Sequence, residues 1–176
     1  MSVFTNSFAS APGEAKAYAA AVVGLLGTRD PIDVLRHTAD ALDASLRGLT
    51  VEEILRPEAP GKWSVRHVLR HLADSEIVWA WRIRLVLAQD RPALTGYDQD
   101  AWADRLGYEG AEPVAALREF RTVRDGNLRL LDRVTPVDLK RVAVHAERGE
   151  QTLELMIKLH AGHDLLHLNQ IKRIRG

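Results

Sequence analysis

The 176-residue chain reads as an all-α protein, a four-helix bundle with short accessory helices. Three observations predict this. Four segments repeat apolar residues at helical spacing, each opened by a capping or proline signal. No segment sustains the alternation that would make a confident sheet. Two histidines stand one helical turn apart in His163-Asp164-Leu165-Leu166-His167, and a third lies in His71-Leu72-Ala73-Asp74. Such histidines suit the metal sites that bundles build between facing helices.

Before the bundle, Ala17 to Gly27 is an apolar run preceded by Glu14, with no basic leader or small-residue cleavage site. It is shorter than the roughly 20 residues of a membrane span. Tyr18, Val22 and Leu25/Leu26 fall at helical spacing, so residues 1–29 are read as an extension whose helix packs on a bundle domain of residues 30–176. The expectation is a soluble, cytoplasmic protein.

Asp30-Pro31 is a cap followed by proline at the first helical position, and it opens a helix through about Leu49. Val34, Leu35, Ala39, Leu42 and Leu46 form its apolar face. Thr50-Val51-Glu52-Glu53 is a capping box for a short turn of helix. After Pro57, Pro60 and Gly61, Ser64 is the expected N-cap of the second long helix, with Trp63 and Val68 as a hydrophobic staple. Asp90-Arg91-Pro92 ends that helix, and Gly96 to Leu106 connects onward with a short helix. Pro113 opens the third long helix, ending near Val134 and striped by Val114, Leu117, Phe120, Leu128 and Leu131. Thr135-Pro136-Val137-Asp138 caps another short helix. Arg141 to Glu150 reads equally as a two-stranded excursion or a loop. The fourth long helix begins near Thr152.

Composition narrows the function. Lys+Arg and Asp+Glu are each 24, giving zero net charge and no basic excess for nucleic acid. There is no cysteine, which excludes disulfides, zinc ribbons and thiolate nucleophiles. Any metal ligand must be His, Asp or Glu, and any thiol must arrive as a substrate. Phosphate loops, G-x-S-x-G and H-E-x-x-H are absent.

On the fourth helix Met156, Leu159, Ile171 and Ile174 define the apolar side, and His160, His163 and His167 fall inside that sector. Three buried imidazoles are costly unless something shared satisfies them. His163 and His167 have ligand spacing, while His160 lines the pocket or supports it. On the second helix His67, His71, Asp74, Val78 and Trp81 share a face, and either His67 or His71 could reach a metal. Asp74 could orient an imidazole or pair with an arginine. His37 and His145 lack ligand-spaced partners. Arg82-Ile83-Arg84 is read as a solvated face, and Trp81 and Trp102 as the better pocket-wall tryptophans.

Gly61-Lys62-Trp63-Ser64-Val65 running into His71-Leu72-Ala73-Asp74-Ser75-Glu76 resembles the second helix of the DinB/YfiT-like superfamily. The closing His163-Asp164-Leu165-Leu166-His167, then Gln170-Ile171, matches that superfamily's last motif. Pro92, Tyr97-Asp98, Trp102 and the helix with Phe120 and Arg124 keep its order, so the likeness spans roughly residues 30 to 175. The resemblance implies an up-down-down-up bundle, often a homodimer, with one divalent ion held by His71, His163 and His167. It thereby selects His71 over His67. Zinc or nickel is the ion expected in a recombinant preparation. Characterised members include bacillithiol S-transferases and mycothiol-dependent maleylpyruvate isomerases. The implied activity is therefore transfer of a low-molecular-weight thiol to a small electrophile. Metal-dependent hydrolysis and a non-catalytic metal- or ligand-binding role in a stress response are the alternatives. Asp74, Glu76 and His160 are the candidate catalytic bases.

Overall fold

In the computed structural model, which describes residues 12–176, the long helices are built where the apolar stripes lie. The elements in order are α1 (Pro12–Gly24), α2 (Pro31–Leu46), α3 (Val51–Leu55), α4 (Val65–Ala88), β1 (Ala93–Leu94), α5 (Gln99–Arg105), α6 (Pro113–Leu131), β2 (Val142–His145), β3 (Gly149–Thr152) and α7 (Leu153–Arg175). Residues 1–11 of the expected N-terminal extension lie outside the described residues. Caps set most boundaries. The Asp30 carboxylate accepts from the amides of Ile32 and Asp33 at 2.8 and 3.0 Å. The Thr50–Glu53 box closes α3, and Thr152 accepts from the Leu155 amide. Ser64 differs: it occupies the N-cap position of α4, but its hydroxyl meets His67 Nδ1 at 2.8 Å instead of capping.

Two apolar clusters show how the helices run. One contains Leu35, Trp79, Ile83, Leu131 and Met156; the other contains Leu42, Val65, Leu69, Leu117 and Ile171. Helices α2 and α7 pass from the first cluster to the second, while α4 and α6 pass from the second to the first. The order is therefore up-down-down-up. Both α2 and α4 pack on α6 and on α7, so α2 and α4 stand diagonally across the bundle, as do α6 and α7.

Helix α1 packs along α7, burying Ala15, Val22 and Leu26. Their close approach depends on Gly162, where an added Cβ would lie 2.2 Å from the Val22 carbonyl oxygen. No local pattern signals this contact, because a glycine in a helix is locally only a weak former.

The ambiguous Arg141 to Glu150 stretch folds as a hairpin. Strand β2 pairs antiparallel with β3 and parallel with β1, making a small three-stranded sheet. Gly149, at φ +73°, supplies the left-handed turn residue. The Gly-Glu-Gln-Thr of β3 lacks an apolar alternation, and β1 is two residues long, so only Val142 and Val144 of β2 carried a periodic signal. Arg141 fixes this sheet to the bundle by donating from Nε to the Val86 carbonyl at 2.6 Å and from Nη2 to the Gln89 carbonyl at 2.7 Å. It thus satisfies backbone acceptors at the end of α4.

Gly162→Ala is expected to push α1 off α7 at a cost of about 1–3 kcal/mol, as overpacking does. A thermal melt should show the midpoint falling by several degrees. An unchanged midpoint would mean that the α1 contact contributes nothing to stability.

Candidate metal centre

His71 leaves α4 near its second turn, and His163 and His167 leave α7 one turn apart. Their rings converge between the two helices. The Nε2 atoms of His71 and His163 are 3.1 Å apart, and those of His163 and His167 are 3.2 Å apart. One ligand atom from each lies within 4.8 Å of the others, an arrangement that could hold a metal ion. Nitrogens bound tetrahedrally at 2.0–2.1 Å stand about 3.3 Å from one another, so the donor set fits such an ion. His67, the alternative on α4, turns away toward Ser64 and Glu109.

The protonation state also suits metal binding. Burial, reinforced by the neighbouring imidazoles, holds His71 and His163 well below the usual histidine range. Burial likewise lowers His167 to about 4, against an opposing hydrogen bond to Gln170. All three are neutral near pH 7 and can offer lone pairs. His167 Nδ1 lies 2.9 Å from the Gln170 side-chain oxygen, to which it can donate while Nε2 points inward. Trp63 forms a wall, with its ring 4.8 Å from that of His71 and stacked at 6.4 Å on that of His167. Ser75 Oγ is 3.5 Å from His71 Nε2 and 2.6 Å from the Tyr97 hydroxyl.

Beneath the imidazoles lies a buried charged layer. Arg124 Nη1 donates to the Leu35 carbonyl and to Asp164, both at 2.8 Å. Its Nη2 donates to Glu76 Oε2 at 2.8 Å, and Asn127 donates to Glu76 Oε1 at 2.7 Å. His160 Nε2 is 2.8 Å from Glu76 Oε2, and its ring stacks on Trp79 at 4.6 Å. Glu76 has no exposed surface, and both its oxygens are engaged. Burial alone would raise the Glu76 pKa, but His160 and Arg124 outweigh burial and depress it strongly.

Two of the three expected bases are thereby corrected: Glu76 and His160 belong to this sealed layer and not to the open side of the site. Asp74 takes the arginine partner, bonding Arg70 at 2.5 Å, while among the described residues His71 Nδ1 has no hydrogen-bond partner. Asp74 therefore does not orient His71. His37 is exposed and bonds its own helix, and His145 is buried in β2.

Two clefts reach the imidazoles. A cavity of about 220 Å³ is bounded by Trp63, His167, Gln170, Arg173 and Asp100. A smaller one of about 80 Å³ is bounded by His163, Ser75, Trp79, Arg82, Tyr97 and Glu147. A larger cavity of about 460 Å³ lies between α2 and α7 beside His37, with none of the three imidazoles on its wall. The pocket tryptophans are Trp63 and Trp79. Trp81 and Trp102 instead border a cleft on the outer side of α4, with Trp81 63% exposed. Arg82 is the other correction, since it is buried and not solvated. It lies eleven residues after His71, which is about 20° away around the helix, so the wheel carried a signal that the local Arg-Ile-Arg pattern hid.

A four-helix bundle with three converging helix-borne imidazoles defines a class of candidate metal-centre proteins. Residues 35–171 match the DinB superfamily, and the chain belongs to that family. It is 30% identical over 149 residues to "Putative metal-dependent hydrolase YfiT" of Bacillus subtilis, spanning 82% of this chain and 84% of that one. A relative in Geobacillus thermodenitrificans with the same description, without the YfiT name, is 30% identical over 148 residues, 82% of each chain. The solved structure of Bacillus subtilis YfiT, described as "a probable metal-dependent hydrolase with an unusual four-helix bundle topology", matches with a TM-score of 0.74 at 28% identity. That match covers 81% of this chain and 84% of the other.

Arg124→Met should strand Glu76 and Asp164 as buried carboxylates and cost about 3–5 kcal/mol at pH 7. A urea titration would show this as a lowered midpoint. The depressed Glu76 pKa sets the sign of the acid response: its contribution is complete above the ordinary 4.5 and is lost as pH falls below that value. Glu76→Gln should therefore flatten the acid limb of the stability curve; an identical limb would show that Glu76 does not govern it.

Proposed function

We propose that the chain is a metal-dependent hydrolase acting on a small molecule, with His71, His163 and His167 holding one divalent ion. The carrying observation is the convergence of three neutral Nε2 atoms at a point reached by two clefts. The naming of the Bacillus and Geobacillus relatives as "Putative metal-dependent hydrolase" supports the same reading. A bound ion would supply Lewis acidity and bring the pKa of a coordinated water near 7. The chain's own contribution is to leave the ion's charge uncancelled, because its three donors are neutral. Trp63 and Trp79 restrict water around the site. Burial raises the Tyr97 pKa, so its hydroxyl stays protonated, and the Ser75–Tyr97 hydroxyl pair keeps one O–H free to donate where negative charge develops on a substrate oxygen.

Thiol transfer is the second reading. It is favoured by the presence of two clefts flanking the imidazoles, which would accommodate two reactants. With no cysteine in the chain, the thiol would come from solution.

The purified protein should carry about one zinc or nickel ion per chain. His163→Ala or His167→Ala should empty the site while circular dichroism shows helix content retained. Full occupancy by elemental analysis in either variant would overturn the ligand assignment. Turnover of esters or amides by metal-loaded protein without thiol supports hydrolysis. Turnover only with an added low-molecular-weight thiol supports transfer, and silence across a broad panel of both supports a binding role.

We also propose a homodimer formed through the outer side of α4. Ile77 and Trp81 are 51% and 63% exposed there, beside Val78 and Leu85, and α1 packs on α7 instead of covering them. Sedimentation at micromolar concentration should give about twice the 19.6 kDa chain mass; a single 19.6 kDa species would reject the dimer.

A further inference from the structure

We propose that the small cleft on the His163 side is an anion subsite, built on Arg82 with Arg148 behind it, that binds the carboxylate of a small acidic substrate. This rests on the metal-dependent reading of the three imidazoles and names the class of molecule they would act on.

Arg82 and Arg124 are the two arginines fully buried among the described residues, at 7% and 1% exposure. Their surroundings differ in kind. Arg124 is matched by two carboxylates at 2.8 Å. Among the described residues Arg82 has no carboxylate within 4.0 Å; its Nη2 donates to the Thr95 carbonyl, and its guanidinium carbon lies 5.8 Å from the Trp79 ring. Arg148, on the β2–β3 turn, also lacks a carboxylate within 4.0 Å, and its Nε is 3.4 Å from the Gln151 side-chain oxygen.

The charged groups acting on Arg82 are Arg148, which stands behind the cleft wall, and Glu147, which lines it; the Tyr97 hydroxyl beside them is neutral. Two guanidiniums against one carboxylate leave an excess of one positive charge. A buried cation without a close counter-charge is costly. Burial first, and then Arg148, lowers the Arg82 pKa to about 10, and burial with the same two arginines lowers His145 to about 3. An incoming anion would relieve that field. Guanidinium groups recognise carboxylates by geometry as well as charge.

The cleft also fixes what would fit. Its volume of about 80 Å³ is several times the roughly 10–15 Å³ that a single water needs, enough for a carboxylate on a short stem. His163 and Arg82 line the same cavity, so the anion would be held on one wall while the adjoining bond faced the imidazoles.

The test uses the full chain freed of metal, so that an ion cannot hold the carboxylate. NMR titration with monomethyl succinate should show binding, and dimethyl succinate, which has no carboxylate, should bind about tenfold more weakly or less. Arg82→Gln should weaken monomethyl succinate by about tenfold or more, and Arg148→Gln should weaken it as well. Arg118→Gln, an exposed control on α6, should not. If Arg82→Gln loses its helical spectrum, Arg148→Gln and Arg82→Lys carry the comparison. Equal binding of the two succinates, absence of binding, or an unchanged affinity in folded Arg82 and Arg148 variants would overturn the subsite.

A second arm separates this from the parent reading. With metal-loaded protein, a 4-nitrophenyl ester bearing a free carboxylate should outrun its methyl-capped counterpart, and Arg82→Gln should collapse that ratio toward one. Hydrolysis of both esters at equal rates removes the subsite and keeps the hydrolase. Succinate binding without any hydrolysis removes the hydrolase and keeps the subsite.

Discussion

The guanidinium of Arg124 is the point on which the bundle's geometry depends. A side chain of α6 donates to a backbone carbonyl of α2, a carboxylate of α4 and a carboxylate of α7. One planar group therefore touches all four long helices at one level, between the two apolar clusters. Apolar packing tolerates small sliding and rotation, because one aliphatic contact resembles the next. A buried guanidinium does not, since each N–H that misses its acceptor carries a desolvation penalty. Glu76 follows His71 by five residues, and Asp164 directly follows His163. Fixing those two carboxylates also fixes the height and rotation at which α4 and α7 present their imidazoles.

That arrangement explains a contrast between polar groups in the same interior. The sealed layer keeps Glu76 ionised and fully bonded, so it is structurally strong and chemically inert. The imidazoles a turn away are buried at His71 and His167 and half-buried at His163, but these surroundings leave them neutral with inward lone pairs. Both conditions arise from the same low-dielectric surroundings. They differ because a carboxylate with a guanidinium keeps its charge, whereas an imidazole among imidazoles gives it up.

Much of the fold was legible because its signals are local. Asp30-Pro31, the Thr50–Glu53 box and the stripes on α2, α4, α6 and α7 depend on residues within a turn or two of one another. The His163/His167 pair was visible for the same reason. The choice between His67 and His71 was not visible in the spacing, since both share one face of α4, and came from the family resemblance alone; in the structure His67 finds Ser64 and Glu109. Arg124 carried a quiet signal, sitting at a stripe position between Phe120 and Leu128 on α6. Its meaning depended on carboxylates 48 and 40 residues away in sequence. Ser64 shows the converse, a good capping residue diverted by a histidine one turn on. The hairpin was one of two readings of its segment, but the third strand escaped because backbone pairing between residues 93–94 and 144–145 requires no side-chain pattern.

Part of the wall of each cleft comes from segments outside the charged layer. Gly61 to Trp63 precede α4, Gly96 to Gln99 precede or open α5, and Glu147 belongs to the β2–β3 turn. None of these residues bonds Arg124. Substitutions and length changes in the connections can therefore reshape what enters the clefts while the imidazoles keep their spacing. Inheritance can act on the two parts separately: a lineage can change its choice of small molecule by drift in a few loop residues, without passing through an unfolded ancestor.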